Sequence, residues 1–126
     1  FQATLRIVEA TRYSHAFSFK YSPRPGTPAA SMADQVAPEL ADERLQRLQA
    51  LITKCQHAFN EATVGRNTDV LLERAGKKPG QKIGKSPWLQ SVHLLTDAPI
   101  GAIVPVEIVS AGPNSVAGEE TVAQAA

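Results

Sequence analysis

The side chains of this 126-residue sequence that could do chemistry are three histidines, one cysteine, and a run of lysines and arginines around a single tryptophan. His15, His57 and His93 fall on different predicted elements and no pair has metal-ligand spacing, so each reads as a surface or boundary residue rather than a catalytic base. One cysteine excludes an internal disulfide framework and any cysteine-held zinc or iron-sulfur centre within the chain, because those sites need several ligands. There is no glycine-rich phosphate loop, no nucleophile elbow and no zinc-binding helix motif. The glycines between Gly76 and Gly84 read as hairpin turns. Catalytic residues are therefore expected to number none in this chain, and its own residues are expected to bind no metal.

Two features point to binding instead. Arg66, Arg74, Lys77, Lys78, Lys82 and Lys85 surround Trp88, with His93 close by. The formal net charge is only +1, but Arg66 to His93 carries six Lys/Arg against two acids, whereas Leu94 to Ala126 carries four acids and no Lys/Arg. That asymmetry predicts one basic surface strip, the electrostatic footprint of a polyanion partner; the competing expectation is a solvated face. Cations would meet phosphates and an unstacked base could lie on the indole, unless Trp88 is a core residue of a small barrel. The second feature is Tyr21-Ser22-Pro23-Arg24. It sits at the end of a predicted parallel-type strand, where α/β folds place ligand-handling loops. Arg24, flanked by prolines, would grip an anion or tie the loop to a carboxylate.

The elements that must position these residues come in two kinds. Gln2 to Arg12 has helical spacing, with Leu5, Ile7 and Val8 toward the buried side, and Ala16 to Tyr21 alternates aromatic and polar residues as a strand does. Ser22 to Pro28 holds three prolines and a glycine, which predicts a loop. Pro38 opens a helix expected to reach residue 62, with Ala41, Leu45, Leu48, Ile52, Cys55 and Phe59 on one face, so Cys55 is expected to pack rather than react. After Gly65 the pattern becomes short strands: Thr68 to Arg74, Gln81 to Lys85, Leu89 to Leu95 and Ala102 to Ser110, with Pro105 placing the last at an edge or bulge. The expected class is α/β plus all-β. Residues 1–62 form the end of a parallel α/β domain, residues 63–119 a small barrel of the oligonucleotide-binding kind, and residues 120–126 a tail frayed from about Glu119.

Ala16 to Ala30, with Glu43-Arg44-Leu45-Gln46-Arg47-Leu48-Gln49, resembles the closing portion of the radical S-adenosylmethionine domain of the methylthiotransferases. Val64-Gly65, Val70-Leu71-Leu72-Glu73 and Gly84 to His93 resemble the TRAM domain that follows it in that family. The Arg24-Pro25-Gly26-Thr27 loop and the Ser86-Pro87-Trp88-Leu89-Gln90 run are most similar to the branch that adds a methylthio group to a dimethylallyl-adenosine beside the tRNA anticodon. Lys85 stands where that branch leads us to expect arginine. The resemblance implies a radical α/β barrel and a TRAM barrel binding the tRNA anticodon stem-loop. It further implies two 4Fe-4S clusters and S-adenosylmethionine in the full enzyme, all held by N-terminal domains missing here, and a transferase that is inactive as this portion alone. With no apolar run of about 20 residues and no leader, a cytoplasmic protein without membrane contact is expected. The rivals are a stand-alone, non-catalytic RNA-binding module, or a methylthiotransferase acting on threonylcarbamoyl-adenosine tRNA or on a ribosomal protein.

Overall fold

Period-two alternation between residues 67 and 120 is resolved, in a computed structural model describing residues 1–121, as five strands that close on themselves. They are β1 (Asn67–Ala75), β2 (Gln81–Lys85), β3 (Ser91–Leu95), β4 (Ile103–Ala111) and β5 (Val116–Glu120). The order around the barrel is β1-β2-β3-β5-β4, with β4 returning to β1; only the β3–β5 pair is parallel. Val70 and Leu72, Val92 and Leu94, Val104, Val106 and Ile108, and Val116 all point inward and are buried. Each comes from a strand position of one parity, the physical content of the alternation. Where the wall must pinch, glycine replaces a side chain. A Cβ on Gly84 would collide with the Leu71 carbonyl oxygen, and one on Gly118 would lie 3.0 Å from a Val92 methyl.

Within the barrel, three expectations need correction. Leu89 does not begin β3: it is an exposed left-handed residue (φ 63°) in a turn closed by Ser86 N–H donating to the Gln90 carbonyl at 3.1 Å. β4 carries an irregularity, as expected, but not at Pro105, which lies inside a closed wall. Its carbonyl accepts from Thr121 N–H at 2.8 Å, so its ring nitrogen faces the place where β5 stops and no donor is missed; the β4 irregularity lies between Ile108 and Ser110. Glu119 and Glu120 are not frayed, since they pair with Glu107 and Val106 as the end of β5. The rest of the expected tail, 122–126, lies outside the described residues.

The first half contains α1 (Gln2–Thr11), a 3-10 turn (Pro28–Ser31) and α2 (Pro38–Ala62). Proline at the first helical position and Glu39 in the first turn suit the start of α2. Its predicted stripe is observed, with Ile52 buried and Ala41, Leu45, Leu48, Cys55 and Phe59 half-buried. Phe1 lies beneath the guanidinium groups of Arg44 and Arg47, at 5.4 and 5.1 Å from its ring centre, which pins α1 to α2. Val8 is buried and Leu5 half-buried, but Ile7 is exposed, against expectation.

Ala16–Tyr21 takes up no regular secondary structure and joins no sheet among the described residues; it runs beside α2, held by Lys20 to Asp42 at 2.7 Å. Phe17, Phe19 and Tyr21 are 77%, 84% and 53% exposed. Its aromatics therefore contribute little to the stability of this chain and much to its stickiness. Replacing Phe17 and Phe19 with serine should leave the unfolding free energy within about 0.5 kcal/mol while lowering self-association measured by sedimentation at high concentration. A large loss of stability would show that the segment is packed after all.

Candidate nucleic-acid interface and helix–barrel junction

Strand parity sorts the basic residues. On the outer wall the register sets Arg74 beside Ile83, Ile83 beside His93 and His93 beside Ala117; one row along, Leu71, Lys85 and Ser91 are neighbours. Lys77 and Lys78 are exposed at the tip of the β1–β2 turn, which Gly80 enables at φ 74°. Arg74, Lys77, Lys78, Lys85 and His93 thus share the outer face of β1, β2 and β3. Glu119 and Glu120 border it on the His93 side.

Lys82 goes elsewhere. It shares its inward parity with Gly84 and its ammonium donates to the Thr96 carbonyl at 3.2 Å and to the Ala98 carbonyl. Its charge is absorbed by backbone oxygens that close one end of the barrel. Arg66 is also apart from the strip, its guanidinium stacked 5.1 Å from the centre of Trp88. Trp88 is half-buried: it packs against the barrel core and meets Phe59 of α2 edge-on, with ring centres 6.3 Å apart at 73°. The indole wedges helix against barrel, with Arg66 over one face.

Around that wedge lies a polar latch that no periodicity marks. Gln90 Nε2 donates to Asn60 Oδ1 at 2.9 Å and to Thr63 Oγ1 at 3.1 Å. Ser86 Oγ donates to Gln90 Oε1 at 3.2 Å and accepts from Gln90 N–H at 3.3 Å. Asn60, Thr63, Ser86 and Gln90 are all buried, and no buried side-chain polar atom among the described residues lacks a partner. The chain then leaves α2 directly into the sheet, with Gly65 N–H donating to the Ile108 carbonyl at 2.7 Å and Ile108 N–H to the Arg66 carbonyl at 3.0 Å. Helix α2 and barrel are joined as a unit.

Tyr21, Ser22 and Arg24 are exposed at the opposite end of α2. Lys20 contacts Asp42, so this loop lies roughly 27 Å along the helix axis from Asn60. The Arg24 carbonyl accepts from Thr27 Oγ1 at 2.7 Å, which sets the turn and leaves the guanidinium outside any ion pair among the described residues. The structure does not bring this loop to the basic face. The three histidines stay apart: His57 pairs with Glu61 at 3.0 Å, His15 stacks edge-on to Phe17, and His93 lies 3.5 Å from Ser115 Oγ. Among the described residues no three His, Cys, Asp or Glu side chains converge, and no helix is long and apolar enough to cross a membrane.

No family model matches the chain. It is 62% identical, over 98% of its own length, to the tRNA-2-methylthio-N(6)-dimethylallyladenosine synthase of Erythrobacter litoralis and equally so to that of Sphingopyxis alaskensis, covering 28% of each. To the same-named protein of Novosphingobium aromaticivorans it is 59% identical over 94% of its length, 27% of that protein. The chain spans little more than a quarter of the length of the curated relatives it matches.

Proposed function

We infer that this chain, similar over nearly all its length to the tRNA-2-methylthio-N(6)-dimethylallyladenosine synthases, is the C-terminal portion of a tRNA methylthiotransferase of that kind and serves to hold the tRNA. In this proposal residues 1–62 complete a radical α/β barrel whose other strands belong to the rest of the protein. The exposed Phe17, Phe19 and Tyr21 support that assignment, since an alternating strand of this kind is made to lie beside others. The five-stranded barrel is the TRAM domain, of oligonucleotide-binding type, and its substrate is the anticodon stem-loop. The cytoplasm is the compartment this implies.

The observation that carries the proposal is the gathering of Arg74, Lys77, Lys78, Lys85 and His93 on the outer β1–β2–β3 face and the β1–β2 turn. Barrels of this type bind oligonucleotides with the strand 2–3 face and the loop between strands 1 and 2. Lysine and arginine there neutralise phosphates and release counterions, which gives affinity without sequence choice. Arg24, Tyr21 and Ser22 would belong to a separate contact, made on the α/β side.

The iron-sulfur clusters and S-adenosylmethionine implied by the family do not fit residues of this chain. Its one thiol, Cys55, is half-buried in the groove between α1 and α2, among Leu51, Ala58 and Phe59, with no second ligand near among the described residues. No chemical step is assigned to any residue here.

Fluorescence anisotropy of a labelled anticodon stem-loop tests the proposal. The K77Q/K78Q double variant should bind more weakly, and the slope of log affinity against log salt should fall by about one for each phosphate that is no longer neutralised. An unchanged affinity and slope would remove the basic face from RNA binding. Lys82→Gln should instead alter stability, because its ammonium caps two buried-end carbonyls.

A further inference from the structure

We propose that the small polar cleft where α2, the 14–15 segment and the barrel meet is a phosphate site, which seats one phosphodiester group of the bound RNA. The proposal rests on the RNA-holding function above and deepens it. The cleft is enclosed on most sides, about 60 Å³ in volume, and is lined by His15, Gln56, Lys85, Ser91 and Asn114 with Trp88 and Leu89 at its wall. A water molecule needs on the order of 10–15 Å³ of such space, so the cleft holds a few waters or one phosphate group, and is too small to swallow a nucleobase.

Its charge is one-sided. Lys85 is half-buried, donates to Ser91 Oγ at 2.8 Å, and lies in no ion pair with a carboxylate among the described residues. No Asp or Glu lines the cleft. The ammonium has one neutral acceptor and donors left over for an anion, and the amides of Gln56 and Asn114, the Ser91 hydroxyl and the His15 ring line the same cleft. These come from α2, the 14–15 segment, the β2–β3 hairpin and the β4–β5 loop. The latch of Asn60 and Gln90 borders the cleft and fixes the junction of α2 and barrel from which Gln56 and Lys85 reach into it. Lys85 also belongs to the outer basic face, so a strand tracking along Lys77, Lys78 and Arg74 leads into this cleft.

The test compares two isosteric charge insertions on the same helix. Gln56→Glu puts a carboxylate into the cleft, whereas Gln46→Glu puts one on an exposed position roughly 15 Å further along α2. Stem-loop affinity should fall about tenfold for Q56E, from like-charge repulsion, and stay at the wild-type value for Q46E, with circular dichroism showing both folded. In parallel, inorganic phosphate is titrated into the ¹⁵N-labelled chain against a chloride control. The side-chain amide signals of Gln56 and Asn114 should shift with phosphate, and should no longer do so in Lys85→Met. If RNA binds wild type, Q56E and Q46E alike, the cleft proposal is overturned while the RNA-holding function stands. If phosphate shifts these amides but RNA affinity ignores Q56E, the site takes free anions only and the phosphodiester assignment is wrong. If no RNA binds any variant, the functional proposal fails, and the phosphate titration alone then decides the site: no shift overturns it as well.

Discussion

Gly84→Ala should cost the barrel about 3 kcal/mol, the upper end of what a single inserted methyl does to a well-packed interior. Gly84 sits on the inner wall opposite Leu72 of β1 and Val92 of β3. An added Cβ would drive into the Leu71 carbonyl oxygen and would stand 2.7 Å from a Val70 methyl and 2.8 Å from the Leu71 carbonyl carbon. Two of those three are backbone atoms of the adjacent strand, so no rotamer change relieves the overlap. β1 and β2 must separate, and a closed wall cannot separate at one seam without opening another. With native stabilities of roughly 5–15 kcal/mol, that is a large share of the total. Gly112→Ala supplies the control, since its Cβ would meet only the Ser115 carbonyl oxygen at 3.4 Å. Urea denaturation of both variants decides the matter: a Gly84→Ala midpoint equal to that of Gly112→Ala would mean that the close approach of β1 and β2 is not what glycine is for.

Gln90→Leu is the second large effect. The leucine leaves Asn60 Oδ1 without its donor and the Ser86 hydroxyl without its acceptor, both buried, while Thr63 Oγ1 keeps its bond to the Asn60 carbonyl. Each orphaned group costs about 1–3 kcal/mol, so a total loss of about 3 kcal/mol is expected after partial relaxation. Asn60→Leu alone should cost less, because Thr63 Oγ1 still accepts from Gln90. Combining the two should restore part of the loss, an apolar pair replacing a broken polar one, and a double-mutant cycle reads that coupling directly. Strictly additive single losses would show that the two amides do not act together.

Much of the barrel is legible in the sequence because its interior is built from β-branched and leucine residues at one parity: Val70 and Leu72, then Val104, Val106 and Ile108, announce β1 and β4 plainly. Helix α2 is legible for the same reason at helical period. β5 is not, because its inward positions are Val116 and Gly118; the strand is selected for thinness against Val92, and thinness has no hydrophobic signature. Charge alone groups Lys82 with the surface cations. Its shared parity with Gly84 points inward, whereas Lys85, one residue out of phase with Gly84, points out. Leu89 looks like strand because nothing in a leucine advertises a positive φ. The latch is least legible of all. Asn60, Thr63, Ser86 and Gln90 are residue types that usually face water, and only the fold brings Gln90 to partners 27 and 30 residues earlier in the chain. The aromatic segment at 16–21 has the pattern of a strand, but pattern specifies which face is apolar and not what covers it.

The lone tryptophan has an optical consequence. Trp88 is the one indole in the sequence, and it lies at the seam between α2 and the sheet, edge-on to Phe59 and beneath Arg66, rather than inside the barrel. Intrinsic emission from this molecule therefore reports the seating of the helix before it reports melting of the strands. A red shift that precedes the loss of β-sheet ellipticity would be the spectral mark of α2 lifting off an intact barrel.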